Sequence, residues 1–202
     1  MVRLLGLVLD CSSLVPSGEK PEEVKEAIRK MGHLLSNLRC ATVYFSPHLI
    51  RVYWTKVARE LREELKRQRP LPPFQASLLR TLPELVKITR GSRGLLCKIR
   101  SSKAGVKFHV LERTRVEPYD VSDVGLTEEE DEEVLRIALA SASMQEKVFL
   151  VSVDRHLLQN VDWSKLLQKY RAECQRMEIV APNDPNFMSF LIACSFDPLR
   201  RL

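Results

Sequence analysis

Long apolar runs are missing from this chain of 202 residues, and no stretch reaches the roughly 18 residues that span a bilayer. The apolar opening, Leu4 to Leu9, stops at Asp10. It is too short for a signal-peptide core and lacks a cleavage site, so a cytoplasmic protein with no membrane partner is expected. Cysteine is sparse. Cys11, Cys40, Cys97, Cys174 and Cys194 are scattered without CxxC spacing, which argues against a zinc site or a disulfide framework and for reduced, mostly buried thiols. His33, His48, His109 and His156 form no HExxH or other close ligand pair. With only 7 Gly and 11 Pro, collagen-like and low-complexity architectures are excluded. No internal repeat is present, and the length suits a single domain, 1–202, carrying one insertion. Asparagine is scarce too, which together with the odd cysteine count suits a thermophile.

Charge is present but unevenly spread. Residues 1–50 carry 6 Lys/Arg against 5 Asp/Glu, residues 51–115 carry 17 against 5, and residues 116–202 carry 9 against 16. The net charges are therefore +1, +12 and −7, adding to the overall +6. A strongly cationic middle is where a polyanion would be held, and RNA is the expected partner.

The continuous apolar run ending at Asp10 predicts a strand covered on both faces, as in a parallel sheet between helices. Val24, Ile28, Met31, Leu34, Leu35 and Leu38 predict an amphipathic helix over 21–38. A strand over 41–45 follows, and Ser46-Pro47 caps a helix that runs to about Arg69. Residues 70–118 are expected to form a basic insertion packed on the main domain, with helices at 75–82 and 83–88 and a hairpin of 95–100 with 106–111. Beyond Gly125 come an acid-led helix, the strand 148–152, a short helical turn, a helix over about 162–176, the strand 178–181 and a helix over 184–194. Strands alternating with helices define an α/β class, a Rossmann-like three-layer sandwich with a mainly parallel sheet.

In such a sheet ligands bind outside the carboxyl ends of the strands. Asp10 and Asp154 fall at two strand ends, and Asp131 opens the helix feeding the second of them, so three carboxylates converge on one edge. Clustered carboxylates need neutralisation, and oxygen donors without His or Cys favour Mg²⁺ or Mn²⁺. Against this stands the ordinary role of such acids, which is to cap helices and complement their dipoles.

At these residues the chain resembles the PIN-domain family of metal-dependent nucleases. Val8-Leu9-Asp10-Cys11-Ser12-Ser13-Leu14 is similar to the family's opening strand and first acid. Asp131 to Leu139 resembles its Asp-led helix with Ala seven residues on, Phe149 to Asp154 its strand ending in Ser-x-Asp, and Ala181 to Phe187 its closing strand and helix. The resemblance covers about 1–66 and 120–195. It implies Asp10, Asp131 and Asp154 as metal ligands, with Ser152 orienting them or binding phosphate. One departure stands out. The family's second acid, about a turn into the helix after the second strand, is absent: Arg51, Val52 or Tyr53 occupies that region, and Glu60 lies about 12 Å further along the helix.

Basic residues expected on the nucleic-acid surface are Arg51, Arg59 and Arg62 on the second long helix and Arg90, Arg93, Lys98, Arg100 and Lys103 in the insertion. Lys56, Arg59, Arg62 and Lys66 share one helix face, where Glu60, Glu63 and Glu64 offer local pairing instead. Tyr53 and Trp54 are candidates for base stacking or for the core, and His156 for chemistry near a leaving group or for a plain helix start. The expected function is a Mg²⁺- or Mn²⁺-dependent ribonuclease. The alternatives are a catalytically degenerate RNA-binding or assembly module, and a toxin of the toxin–antitoxin kind. An aspartate-based phosphatase is set aside because Ser12 stands where its second Asp is needed. Homodimerisation stays open.

Overall fold

The computed structural model describes residues 5–38, 41–91, 98–100 and 106–195. Five strands form a parallel sheet: β1 (Leu5–Leu9), β2 (Ala41–Phe45), β4 (Lys107–Val110), β5 (Lys147–Val151) and β6 (Met177–Val180). A sixth, β3 (Lys98–Arg100), runs antiparallel along the edge of β4. The spatial order is β3-β4-β2-β1-β5-β6. Apart from the antiparallel edge this is the doubly wound order in which the chain steps outward from the first strand, returns, and steps outward on its other side. β1 is buried along its whole length, as a strand covered on both faces must be.

Helix α1 (Glu22–Asn37) packs on α4 (Pro73–Gly91) and on α9 (Pro185–Ser195), and α6 (Glu129–Ala142) lies against β1 and β5 with α5 (Arg113–Val116) and α8 (Arg171–Cys174) beside it. After β2, Ser46 caps α2 (Pro47–Val52) by accepting from the Leu49 amide at 3.1 Å. The helix continues through a π-helical segment, Tyr53–Val57, into α3 (Ala58–Lys66). Such wide turns recur at functional sites because the extra residue rotates the positions that follow.

Three sequence expectations are revised. The helices expected at 75–82 and 83–88 are one helix, α4, with Pro83 inside it. Its buried stripe Phe74, Leu78, Leu82 and Leu85 secures the helix across the proline, outweighing the lost backbone hydrogen bond. The segment 70–118 is not simply an appendage: α4 packs on α1 and α2, and β4 pairs in parallel with β2, with Phe108 between Phe45 and Phe74 in the core. The helix expected over 162–176 is divided at Tyr170 into α7 (Trp163–Lys169) and α8. Among the described residues no helix is long and apolar enough to cross a membrane.

Gly32 of α1 marks the closest approach of two helices. A Cβ there would meet Gln75 Oε1 of α4 at 2.1 Å and Pro72 Cβ at 2.7 Å. Gln75 is fully buried, and its amide reaches toward the carbonyls of Leu14 and Ile28.

Candidate metal centre

The pairing of β1 with β5 sets the site. Leu9 faces Val151 in register, and the Asp10 amide donates to the Val151 carbonyl at 2.9 Å, so Asp10 and Ser152 emerge side by side. The chain leaves β1 toward α1 and leaves β5 toward α7 and α8, which makes this junction a switch point of the sheet.

Asp10 is 4% exposed. Its Oδ2 accepts from Ser152 Oγ at 2.8 Å, from the Ser12 amide at 3.3 Å, and from Ser12 Oγ. Ser12 Oγ in turn accepts from the Val153 amide at 3.1 Å, and Ser152 Oγ from the Asp154 amide at 2.9 Å. Two hydroxyls thus join the turn after β1 to the turn after β5. Burial raises the Asp10 carboxyl above its ordinary range; its serine donors oppose that rise, while the nearby Glu130 charge adds to it.

Asp131, on the first turn of α6, is also only 4% exposed, and its Oδ2 is buried without a hydrogen-bond partner. Burial first, then the charges of Asp154, Asp10 and Glu128, push its carboxyl up to about 7. The three predicted acids therefore share one electrostatic environment. Asp154 is half-buried; its Oδ1 accepts from the His156 amide at 2.8 Å. The His156 ring, 3.0 Å from Asn160 through Nδ1, serves as a local helix-start contact.

Two residues enter that were not expected as ligands. Oxygen atoms of Asp10 and Glu130 and the Cys11 sulfur lie within 4.8 Å of one another. Glu130 directly precedes the expected ligand Asp131 in the sequence. Cys11 is a weak donor here, because burial and the charges of Asp10 and Glu130 drive its thiol strongly toward the protonated form. Hard cations such as Mg²⁺ or Mn²⁺ take oxygen, which Asp10 and Glu130 offer within that group; among the described residues Asp131 and Asp154 fall outside it, and Asp131 is linked to Asp10 and Asp154 through their charges. The unpartnered Oδ2 of Asp131 is the atom such an ion would satisfy.

The region of the missing acid is filled. Tyr53 is fully buried, its hydroxyl donating to the Leu9 carbonyl and its ring edge-on to Phe45 at 5.4 Å. This overturns Tyr53 as a base-stacking residue. Lys56, on the same π segment, forms an ion pair with Glu130, which raises the ammonium above its ordinary range. Lys20 is coupled electrostatically to both Glu60 and Asp10, with burial lowering its ammonium. Both lysines were legible only as surface charge in the sequence.

The expected basic track is partly spent. Lys66 pairs with Glu63, and Arg67 and Arg69 with the buried Glu64. Arg62 lies over the Trp54 ring at 5.0 Å, covering the face a base would use. Arg51 and Arg59 are exposed and make no ion pair among the described residues. Arg93 and Lys103 lie outside the described residues, as do the side chains of Arg90, Lys98 and Arg100. No protein-family model, no curated protein and no solved structure matches the chain.

Proposed function

We propose that this protein is a PIN-like, Mg²⁺- or Mn²⁺-dependent ribonuclease of the cytoplasm, acting on phosphodiester bonds of RNA. The observation that carries the reading is the buried, unpartnered Oδ2 of Asp131 in the field of Asp10 and Asp154, at the carboxyl edge of a parallel sheet. A bound divalent ion would supply Lewis-acid stabilisation of the charge developing on the phosphate, and activation of water. Asp10, Asp131, Asp154 and Glu130 would hold it. Ser152 and Ser12 fix the Asp10 carboxylate, and the tie from Ser152 to the Asp154 amide aligns the second strand end with the first. Lys56 and Lys20 bring positive charge to the rim, where a phosphate approaching four carboxylates needs it. In the hydrolysis, a water oxygen forms the new bond to phosphorus as the bridging P–O bond breaks. The departing oxygen takes up a proton.

A second reading is a catalytically degenerate RNA-binding or assembly module. It is favoured by Tyr53 and Lys56 in the region of the second acid, since Lys56 already neutralises Glu130. The test is cleavage of end-labelled single-stranded RNA with Mn²⁺, Mg²⁺ or EDTA, by wild type, Asp10→Asn and Asp154→Asn. The nuclease reading expects metal-dependent cleavage lost in both variants. Salt-sensitive RNA binding without any cleavage would replace it with the degenerate module.

A further inference from the structure

Beside the acid cluster lies a cleft of about 490 Å³ between the start of α2, the α5 segment and the first turns of α6. That volume falls within the range of pockets that enclose a small-molecule ligand. Pro47, His48 and Arg51 line one wall, Val116 and Tyr119 the second, and Glu129 part of the third.

The charges of this cleft divide into two sets. Arg113 is paired with Glu117, Arg136 with Glu132 and Glu133, and Asp120 with Lys169, so these neutralise one another. The side chains of His48, Arg51 and Glu129 make no hydrogen bond or ion pair among the described residues. The cleft therefore offers one permanent cation, one imidazole and one carboxylate acceptor, set around the apolar surfaces of Pro47, Val116 and the Tyr119 ring. Its position matters as much. Glu129 faces the cleft, whereas Glu130 and Asp131, the next two residues of α6, belong to the acid cluster. At 1.5 Å of rise per residue, the first turn of α6 is a wall common to both.

We propose that this cleft is a ribonucleotide subsite, which seats the nucleotide next to the phosphodiester presented to the acid cluster. A nucleotide matches two of the unspent groups and the apolar wall between them: its phosphate meets the Arg51 guanidinium, its base lies on the apolar surfaces, and a ribose hydroxyl or base amino group donates to Glu129. The inference rests on the nuclease reading for its choice of ligand, but the binding it asserts needs no metal.

The experiment is calorimetric titration of the full chain in EDTA with each ribonucleoside 5′-monophosphate and, separately, inorganic phosphate. At least one monophosphate is expected to bind one to one and more tightly than phosphate. Arg51→Gln should weaken it about tenfold, the loss of one charge-assisted hydrogen bond, and Glu129→Gln should shift the preference among the four bases. No saturable monophosphate binding, unchanged affinity in Arg51→Gln, or equal binding of bare phosphate each overturns the subsite. Metal-dependent RNA cleavage without monophosphate binding would sink the subsite and spare the nuclease; monophosphate binding without cleavage would do the reverse.

Discussion

Ser152 Oγ donates to Asp10 Oδ2 at 2.8 Å across the junction of β1 and β5, and accepts from the Asp154 amide at 2.9 Å. One hydroxyl thus ties together two acids that lie at the ends of different strands. Ser152→Ala removes the donor from Asp10 and leaves the Asp154 amide without its acceptor. A loss of about 1–3 kcal/mol in unfolding free energy is expected, measured by urea denaturation. The Mn²⁺-induced rise in melting temperature should shrink as well. Wild-type stability in the alanine variant would mean that the hydroxyl holds nothing in place.

The acid cluster fixes the pH dependence of the metal-free protein. Below the ordinary carboxyl value of 3.8, Asp131 is neutral both folded and unfolded. Between there and about 7 the unfolded chain gives up this proton while the folded chain keeps it, so rising pH destabilises the fold. The contribution is at most on the order of 4 kcal/mol once both states ionise. Asp131→Asn should flatten this dependence and melt above wild type near pH 8, with little difference near pH 4. Superimposable profiles of melting temperature against pH would refute it.

A shared ion makes a separate prediction. Mn²⁺ should stabilise the wild type by mass action, and Asp10→Asn or Asp154→Asn should abolish the shift. Lys56→Met releases Glu130 from its ion pair and should therefore enlarge it. An identical shift in all four proteins would place the ion elsewhere.

Tyr53 is a core residue with a polar tip. Tyr53→Ala should cost about 3–5 kcal/mol, and Tyr53→Phe about 1 kcal/mol through the lost hydrogen bond to Leu9. RNA affinity of Tyr53→Phe should match wild type in filter binding; a large drop would restore the tyrosine to the binding surface.

The cationic middle should make RNA affinity fall steeply with salt. Each phosphate contact contributes a slope of about −0.7 in the logarithmic plot for a single strand. Neutralising Arg90, Arg93, Lys98 and Arg100 together should flatten that plot, whereas neutralising Lys66, already paired with Glu63, should leave it nearly unchanged. Binding indifferent to salt would remove the polyanion from consideration.

Much of this architecture is legible in the sequence because its signals are local. Leu5 to Leu9 reads as a buried strand from continuous apolarity, and Val24 to Leu38 as a helix from its 3.6-residue period. Asp10 and Asp154 follow from their places just beyond strand ends, whereas Ser152 enters only through the family resemblance. The failures have local causes too. Pro83 weighs heavily in a short window, but the stripe of Phe74, Leu78, Leu82 and Leu85 buried in the core outweighs it. The alternation at Lys107–Val110 reveals a strand and its antiparallel neighbour, yet nothing within it encodes the parallel partner β2. Glu130 and Asp131 differ by one step of helix rotation, about 100°, too fine a distinction for spacing rules. Lys56 and Glu130 meet across 74 positions, a pairing that only the folded chain creates.

The first strand made is among the last to be completed. β1 lies between β2 and β5, and its contact with Ser152 spans 142 positions of chain. A nascent chain halted anywhere before Lys147 can pair one side of β1 while the other remains bare, an open template for strands of neighbouring chains. Interrupted synthesis should therefore produce fragments that clump rather than fragments with partial activity. The acid cluster comes into being in one late step, when the segment from β5 through Asp154 docks.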